Sequence, residues 1–260
     1  MKKFLVVGDS HAPMAARAVS VYANEIGAQW NEVAPIQMVG NFYDVINGKS
    51  STVELLDGRS RAFDFGDIIN NDTTLIVSGT FLSGHIISFP TTSKFWRKED
   101  TDRKIRLPYF CYDSRIKNEE IEILSDLLVT NHCFHKIYIT QFLNRTEKIR
   151  KSELFKKVSK VIWFSAPPPQ ESILGFVDEK FKTVVDSYFS SGAYYYGHYT
   201  LWRDVERLVL TKERPNISVV FARDMQIKNV FLQSKYNVRH DDPIHASESY
   251  YGELIRENMI

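Results

Sequence analysis

Cysteine is scarce in this chain: Cys111 and Cys133 are the only two in 260 residues. Two thiols build no disulfide framework, and so low a count reads as intracellular. No apolar run is long enough to cross a bilayer. Met1-Lys2-Lys3 leads into an apolar stretch that Gly8-Asp9 ends too early for a signal peptide. An excess of one charge is missing as well. With 33 Lys and Arg against 32 Asp and Glu, there is no global field to draw the chain to nucleic acid or to an anionic membrane. These absences predict a cytoplasmic protein with no nucleic-acid partner and no membrane span. Internal repeats, low-complexity segments and an obvious linker are also lacking, which predicts a single domain over residues 1–260.

What is present begins at the N-terminus. Phe4-Leu5-Val6-Val7 is a continuous apolar run that reads as a buried strand, and Gly8-Asp9-Ser10 breaks it sharply. Ser10 then falls at the carboxyl end of that strand, the side of an open α/β sheet where ligands bind. From Pro13 the spacing predicts a helix: proline suits the first turn, Ala15, Ala16 and Ala18 favour the conformation, and Val19, Tyr22, Ala23 and Ile26 share a face before Gly27. Ser10 precedes a helix N-terminus, whose free N–H groups and partial positive charge stabilise developing negative charge. It reads equally as a simple capping residue.

At the other end, Asp242-Pro243-Ile244-His245 stands before a last helical stretch for which Ser247 is a candidate N-cap. Across a rigid Asp-Pro turn, the carboxylate three residues earlier can hold one imidazole nitrogen while the other acts as a general base.

Together, Gly8-Asp9-Ser10 after a first strand and Asp242-Pro243-Ile244-His245 before a final helix resemble the first and last signature blocks of the SGNH, or GDSL, hydrolase superfamily. The wording Gly8-Asp9-Ser10-His11-Ala12 resembles the branch found in bacterial polysaccharide O-acylation and deacylation systems. The resemblance implies a three-layer α/β/α fold around a mostly parallel, flavodoxin-like sheet. It also implies a catalytic triad of Ser10, Asp242 and His245. The family's oxyanion hole maps onto the Ser10 N–H, Gly40 and Gly79. Its third block, Gly-x-Asn-Asp, falls at Gly79-Thr80-Phe81-Leu82, where the Asn has no counterpart. Asn41, His85 or a backbone N–H are the candidates to replace that donor.

Between the two blocks the chain alternates strand and helix signals, as a doubly wound fold does. Val33 to Val39 is the expected second strand. Thr52 to Leu56 and Arg59 to Phe65 flank Asp57-Gly58, a hairpin signal that predicts an insertion in the sheet. Thr73 to Ser78 and Val161 to Ala166 read as buried strands, the latter stopped by Pro167-Pro168-Pro169, a stiff segment at the same rim. Ile121, Leu124, Leu127 and Leu128 recur at helical spacing, with continuation, bent or broken near Cys133, through Ile137, Ile139, Phe142 and Leu143. Tyr188 to Tyr199 is dense in tyrosine, suited either to stacking on sugar rings or to packing the helix from Tyr199 to Glu213. Ile217 to Phe221 supplies a fifth strand, and Met225 to Lys235 a helical or irregular lead-in. His132, Cys133 and His135 do not converge at helical spacing on a four-ligand site, so no metal is expected. Nor is any cofactor.

The activity expected on these grounds is that of a serine esterase on a small-molecule or carbohydrate ester, releasing O-acyl and especially O-acetyl groups. A carbohydrate O-acyltransferase would use the same triad with a sugar hydroxyl in place of water. A carbohydrate-binding module on the same fold is the reading of another class. Nothing in the sequence bears on oligomeric state.

Overall fold

The computed structural model describes residues 3–8, 11–32, 42–54, 60–62, 64, 66, 72–78, 110–111, 128–172, 183, 186, 199–222, 227–228, 231–239 and 245–258. The N-terminal apolar run forms β1 (Lys3–Gly8), followed by α1 (Ala12–Glu25) and β2 (Gln29–Glu32). A short helix α2 (Phe42–Ile46) leads to the strands β3 (Thr52–Glu54) and β4 (Ser60–Ala62). Then come β5 (Thr73–Ser78), β6 (Phe110–Cys111), β7 (Leu128–Val129), α3 (Asn131–Arg150), α4 (Glu153–Lys157) and β8 (Lys160–Phe164). The last third holds α5 (Thr200–Glu213), β9 (Ser218–Val220), β10 (Ile227–Lys228), β11 (Phe231–Leu232) and α6 (Glu248–Asn258). No helix among the described residues is long and apolar enough to cross a membrane.

Five strands make one parallel sheet in the order β2-β1-β5-β8-β9. This is the flavodoxin-like order, in which the chain reverses direction across the sheet between β1 and its next inner neighbour. Helices cover both faces, which is why the inner strands read as unbroken apolar runs. Alternate residues separate the layers. Phe4, Val6, Ile76, Ile162 and Phe164 pack into one core with Ala15, Val19 and Ala23 of α1 and Tyr251, Leu254 and Ile255 of α6. On the opposite face Trp163 meets Phe142 of α3 and Phe155 of α4, edge to face, at 6.0 and 6.3 Å between ring centroids. Each such ring pair contributes about 0.5–1.5 kcal/mol beyond the area it buries. The architecture is thus the expected three-layer α/β/α.

Several details depart from the sequence reading. The second parallel strand lies at Gln29–Glu32, ahead of the apolar stretch 33–39, which is outside the described residues. As the edge strand it has a partner on one side only and needs no continuous apolar run. Leu128, expected on a helical face, lies in β7, which pairs in parallel with β6. Helix α3 starts afresh beyond it, with the Thr130 hydroxyl accepting from the Cys133 N–H. Within Met225 to Lys235, expected as a helical or irregular lead-in, Ile227–Lys228 pairs antiparallel with Phe231–Leu232. Ile26 falls past the end of α1 and is 45% exposed; Gly27, at φ +65°, turns the chain there. Pairing of β3 with β4 is antiparallel, as the Asp-Gly signal predicts. Tyr199 and Trp202 are wholly buried and touch edge to face at 5.1 Å, so at this end of the tyrosine-rich stretch the aromatics pack α5.

A carboxyl group is enclosed beside that packing. Glu206 of α5 is fully buried. The Ser165 hydroxyl, the Trp202 indole and the Arg203 charge approach closely enough to favour its ionised form. Among the described residues, however, neither carboxylate oxygen reaches a hydrogen-bond partner. Burial dominates and pushes the carboxyl up to about 8.

Two measurements check this account. A β-carbon on Gly8 would meet the Ser78 carbonyl oxygen at 1.5 Å, a clash that only backbone movement relieves. Gly8→Ala is expected to lower stability by about 1–3 kcal/mol or more, read as a fall in urea midpoint; an unchanged midpoint would contradict the close approach. Folded Glu206 keeps a proton that the unfolded chain releases above 4.5. Its contribution is therefore fully present below that pH and is lost as pH rises towards 8. Glu206→Gln removes this dependence, so the variant should gain on the wild type by at most about 5 kcal/mol between pH 4.5 and 8. Urea unfolding at pH 5 and pH 8 reads the difference, and a pH-independent gap would show the folded carboxyl to be ionised.

Candidate active site

The switch point of the sheet lies between the carboxyl ends of β1 and β5, where crossovers leave to opposite sides and open a crevice. Here β1 ends at Gly8, in register with Ser78 of β5. The lack of a β-carbon lets the two backbones close at this point. His11 is the first described residue after β1 and occupies the N-cap position of α1, with helical φ and ψ and no side-chain capping bond.

His11 is an imidazole taken out of water, 2% exposed. Its Nδ1 lies 3.2 Å from the Tyr251 hydroxyl, an atom able to donate to a bare Nδ1 or to accept from a protonated one. Tyr251 is itself held. Its ring stands edge to face with Phe164, the last residue of β8, at 5.7 Å, and with Tyr250 at 5.0 Å. The other flank of His11 meets His245, ring centroids 4.7 Å apart and planes tilted by 40°.

His245 is partly exposed, and its backbone is pinned from several sides. The Gln170 amide donates to the His245 carbonyl at 2.6 Å. Ala246, next in the chain, forms an antiparallel bridge with Asn237, and the Ser247 N–H donates to the Tyr236 carbonyl at 2.7 Å. Gln170 follows the three prolines directly, and the Pro169 carbonyl accepts from the Leu232 N–H at 3.0 Å. The proline segment therefore anchors the support of His245. Ser247 precedes α6 as expected of a cap. Its carbonyl accepts from the Tyr251 N–H and its hydroxyl faces that of Ser249.

Of the triad and oxyanion-hole residues expected from the sequence, His245 is the one that is described. Ser10, Asp242, Gly40 and Gly79 lie outside the described residues, as do Asn41 and His85. What the structure brings together is His245 and His11, from the two sequence blocks. Sequence reasoning gave no role to His11, Tyr251 or Gln170. A histidine inside the Gly-Asp-Ser-His block was the available signal for the first; tyrosine is too common in this chain to mark the second.

No family model matches the chain, and no curated protein matches its sequence significantly. Among solved structures, it is similar to the periplasmic domain of a lipopolysaccharide acetyltransferase of Salmonella ser. Paratyphi A, at 9% sequence identity and a TM-score of 0.35. That similarity covers 98% of this chain and 82% of the other. At this level it establishes neither a shared fold nor a shared activity.

Proposed function

We propose that the protein is a serine esterase that removes O-acyl groups, O-acetyl in particular, from a carbohydrate. Ser10 is the nucleophile, His245 the general base, and Asp242 the carboxylate that orients it. One observation carries this reading: His11 lies ring to ring with His245 at 4.7 Å. Ser10 directly precedes His11 in the chain. A nucleophile and its base must come within hydrogen-bond reach, and the contact of His245 with the residue that follows Ser10 in the chain supports that pairing. The carbohydrate ester as substrate rests on the resemblance of the Gly8-Asp9-Ser10-His11-Ala12 block.

In the proposed reaction Ser10 Oγ attacks the ester carbonyl carbon while its proton passes to His245. The Ser10 N–H, Gly40 and Gly79 hold the oxyanion that forms. Collapse expels the sugar alkoxide, which takes the proton from His245, and leaves an acyl-serine. Water, deprotonated by His245, attacks the acyl carbon, and its proton returns to Ser10 as the carboxylic acid departs. Expulsion of water from the crevice is not required, because water is the second substrate.

A fluorophosphonate probe is expected to label the wild type on Ser10. Ser10→Ala should abolish labelling, and His245→Ala should lower both labelling rate and aryl acetate turnover by about 10³-fold or more. Folded wild type that takes no label, or takes it elsewhere than Ser10, would overturn the triad.

A further inference from the structure

We propose that His11, held by Tyr251, is a positioning residue that sets the orientation of the His245 imidazole; the inference rests on His245 being the base of the serine reaction. Pinning the His245 backbone through Gln170, Asn237 and Tyr236 leaves its two side-chain torsions to be fixed by something else. Asp242 can hold one edge of the ring, but a hydrogen bond at an edge still allows the plane to rock about it. His11 supplies a surface on the ring's inner side: a buried imidazole at 4.7 Å that the His245 ring cannot pass through.

The choice of residue at position 11 supports this. Helix N-caps favour Ser, Thr, Asp and Asn, which bond the free N–H groups of the first turn. His11 occupies the cap and makes no such bond, so capping does not account for an imidazole there. Its Nδ1 is turned instead to Tyr251, 240 residues away in the sequence. At 2% exposure it is a buried side chain.

Tyr251 locks the arrangement. A ring fixed between Phe164 and Tyr250 holds its hydroxyl at a set place, and the contact to Nδ1 stops His11 from turning about its own torsions. The chain of support thus runs from the end of β8 through α6 to the cap of α1 and on to His245.

The test is steady-state hydrolysis of an aryl acetate by the full chain, with the fluorophosphonate labelling rate measured alongside. The proteins are the wild type, Tyr251→Phe, His11→Phe and the double variant. Tyr251→Phe removes one oxygen, and His11→Phe keeps a ring while removing Nδ1. Positioning predicts a fall in kcat of about 10- to 100-fold for His11→Phe, as expected for a misplaced catalytic group. A smaller fall is expected for Tyr251→Phe, with KM within about twofold in both. Because the two residues act as a unit, the double variant should lose no more than His11→Phe alone. Additive losses, or kcat and labelling rates unchanged per folded molecule, would overturn the proposal while leaving the triad standing. Should His11→Phe fail to fold, Tyr251→Phe decides alone, unchanged kcat counting against the proposal. Absence of labelling in the folded wild type would remove the triad, and this inference with it.

Discussion

The close approach of β1 to β5 at Gly8 and Ser78 is the constraint on which the rest of the structure turns. No side chain fits between the two backbones there. Parallel pairing can therefore continue to the last residue of β1 before the chain leaves the sheet. The exit fixes where α1 starts, and hence where His11 sits. β1 is an inner strand, paired with β2 over Lys3–Val6 on one side and with β5 as far as Gly8 on the other.

From that exit the site is assembled by packing rather than by local sequence. Helix α6 lies beside α1 on one face of the sheet, and its tyrosines enter the same core as Phe4, Val6 and Phe164. Aromatic contacts fix Tyr251, and Tyr251 fixes His11. A second set of contacts, from the proline segment through Gln170, fixes the backbone of His245. The two supports come from different parts of the chain and meet at the His11–His245 contact, so neither imidazole depends on its own loop alone. Holding a functional group on rigid elements in this way is what precise chemistry needs, since loops by themselves wander by more than the tolerance of proton transfer.

The opposite face of the sheet carries a different feature. Glu206 is buried with Trp202 on α5, away from the α1 and α6 layer, and its oxygens reach no hydrogen-bond partner among the described residues. Such a group costs stability whenever it ionises. It lies just below Ser165, beyond the end of β8 in the segment that runs through the prolines to Gln170.

The sequence by itself determined the layered α/β class and most of the sheet. β1, β5, β8 and β9 are apolar runs bounded by glycine, proline or charge, and strands covered on both faces must read that way. The antiparallel pairing of β3 with β4 was legible too, carried by strand-like residues on either side of Asp57-Gly58 in the sequence. Tertiary structure decided what such local signals do not encode. The edge strand β2 has too few apolar residues to be seen, and β6, β7, β10 and β11 are too short to show a period. Burial of Glu206 depends on which face of α5 meets the sheet, which composition does not reveal. The union of His11, Tyr251 and His245 joins the two ends of the chain, and contacts at such separations arise only when the sheet order brings β1 and α6 together.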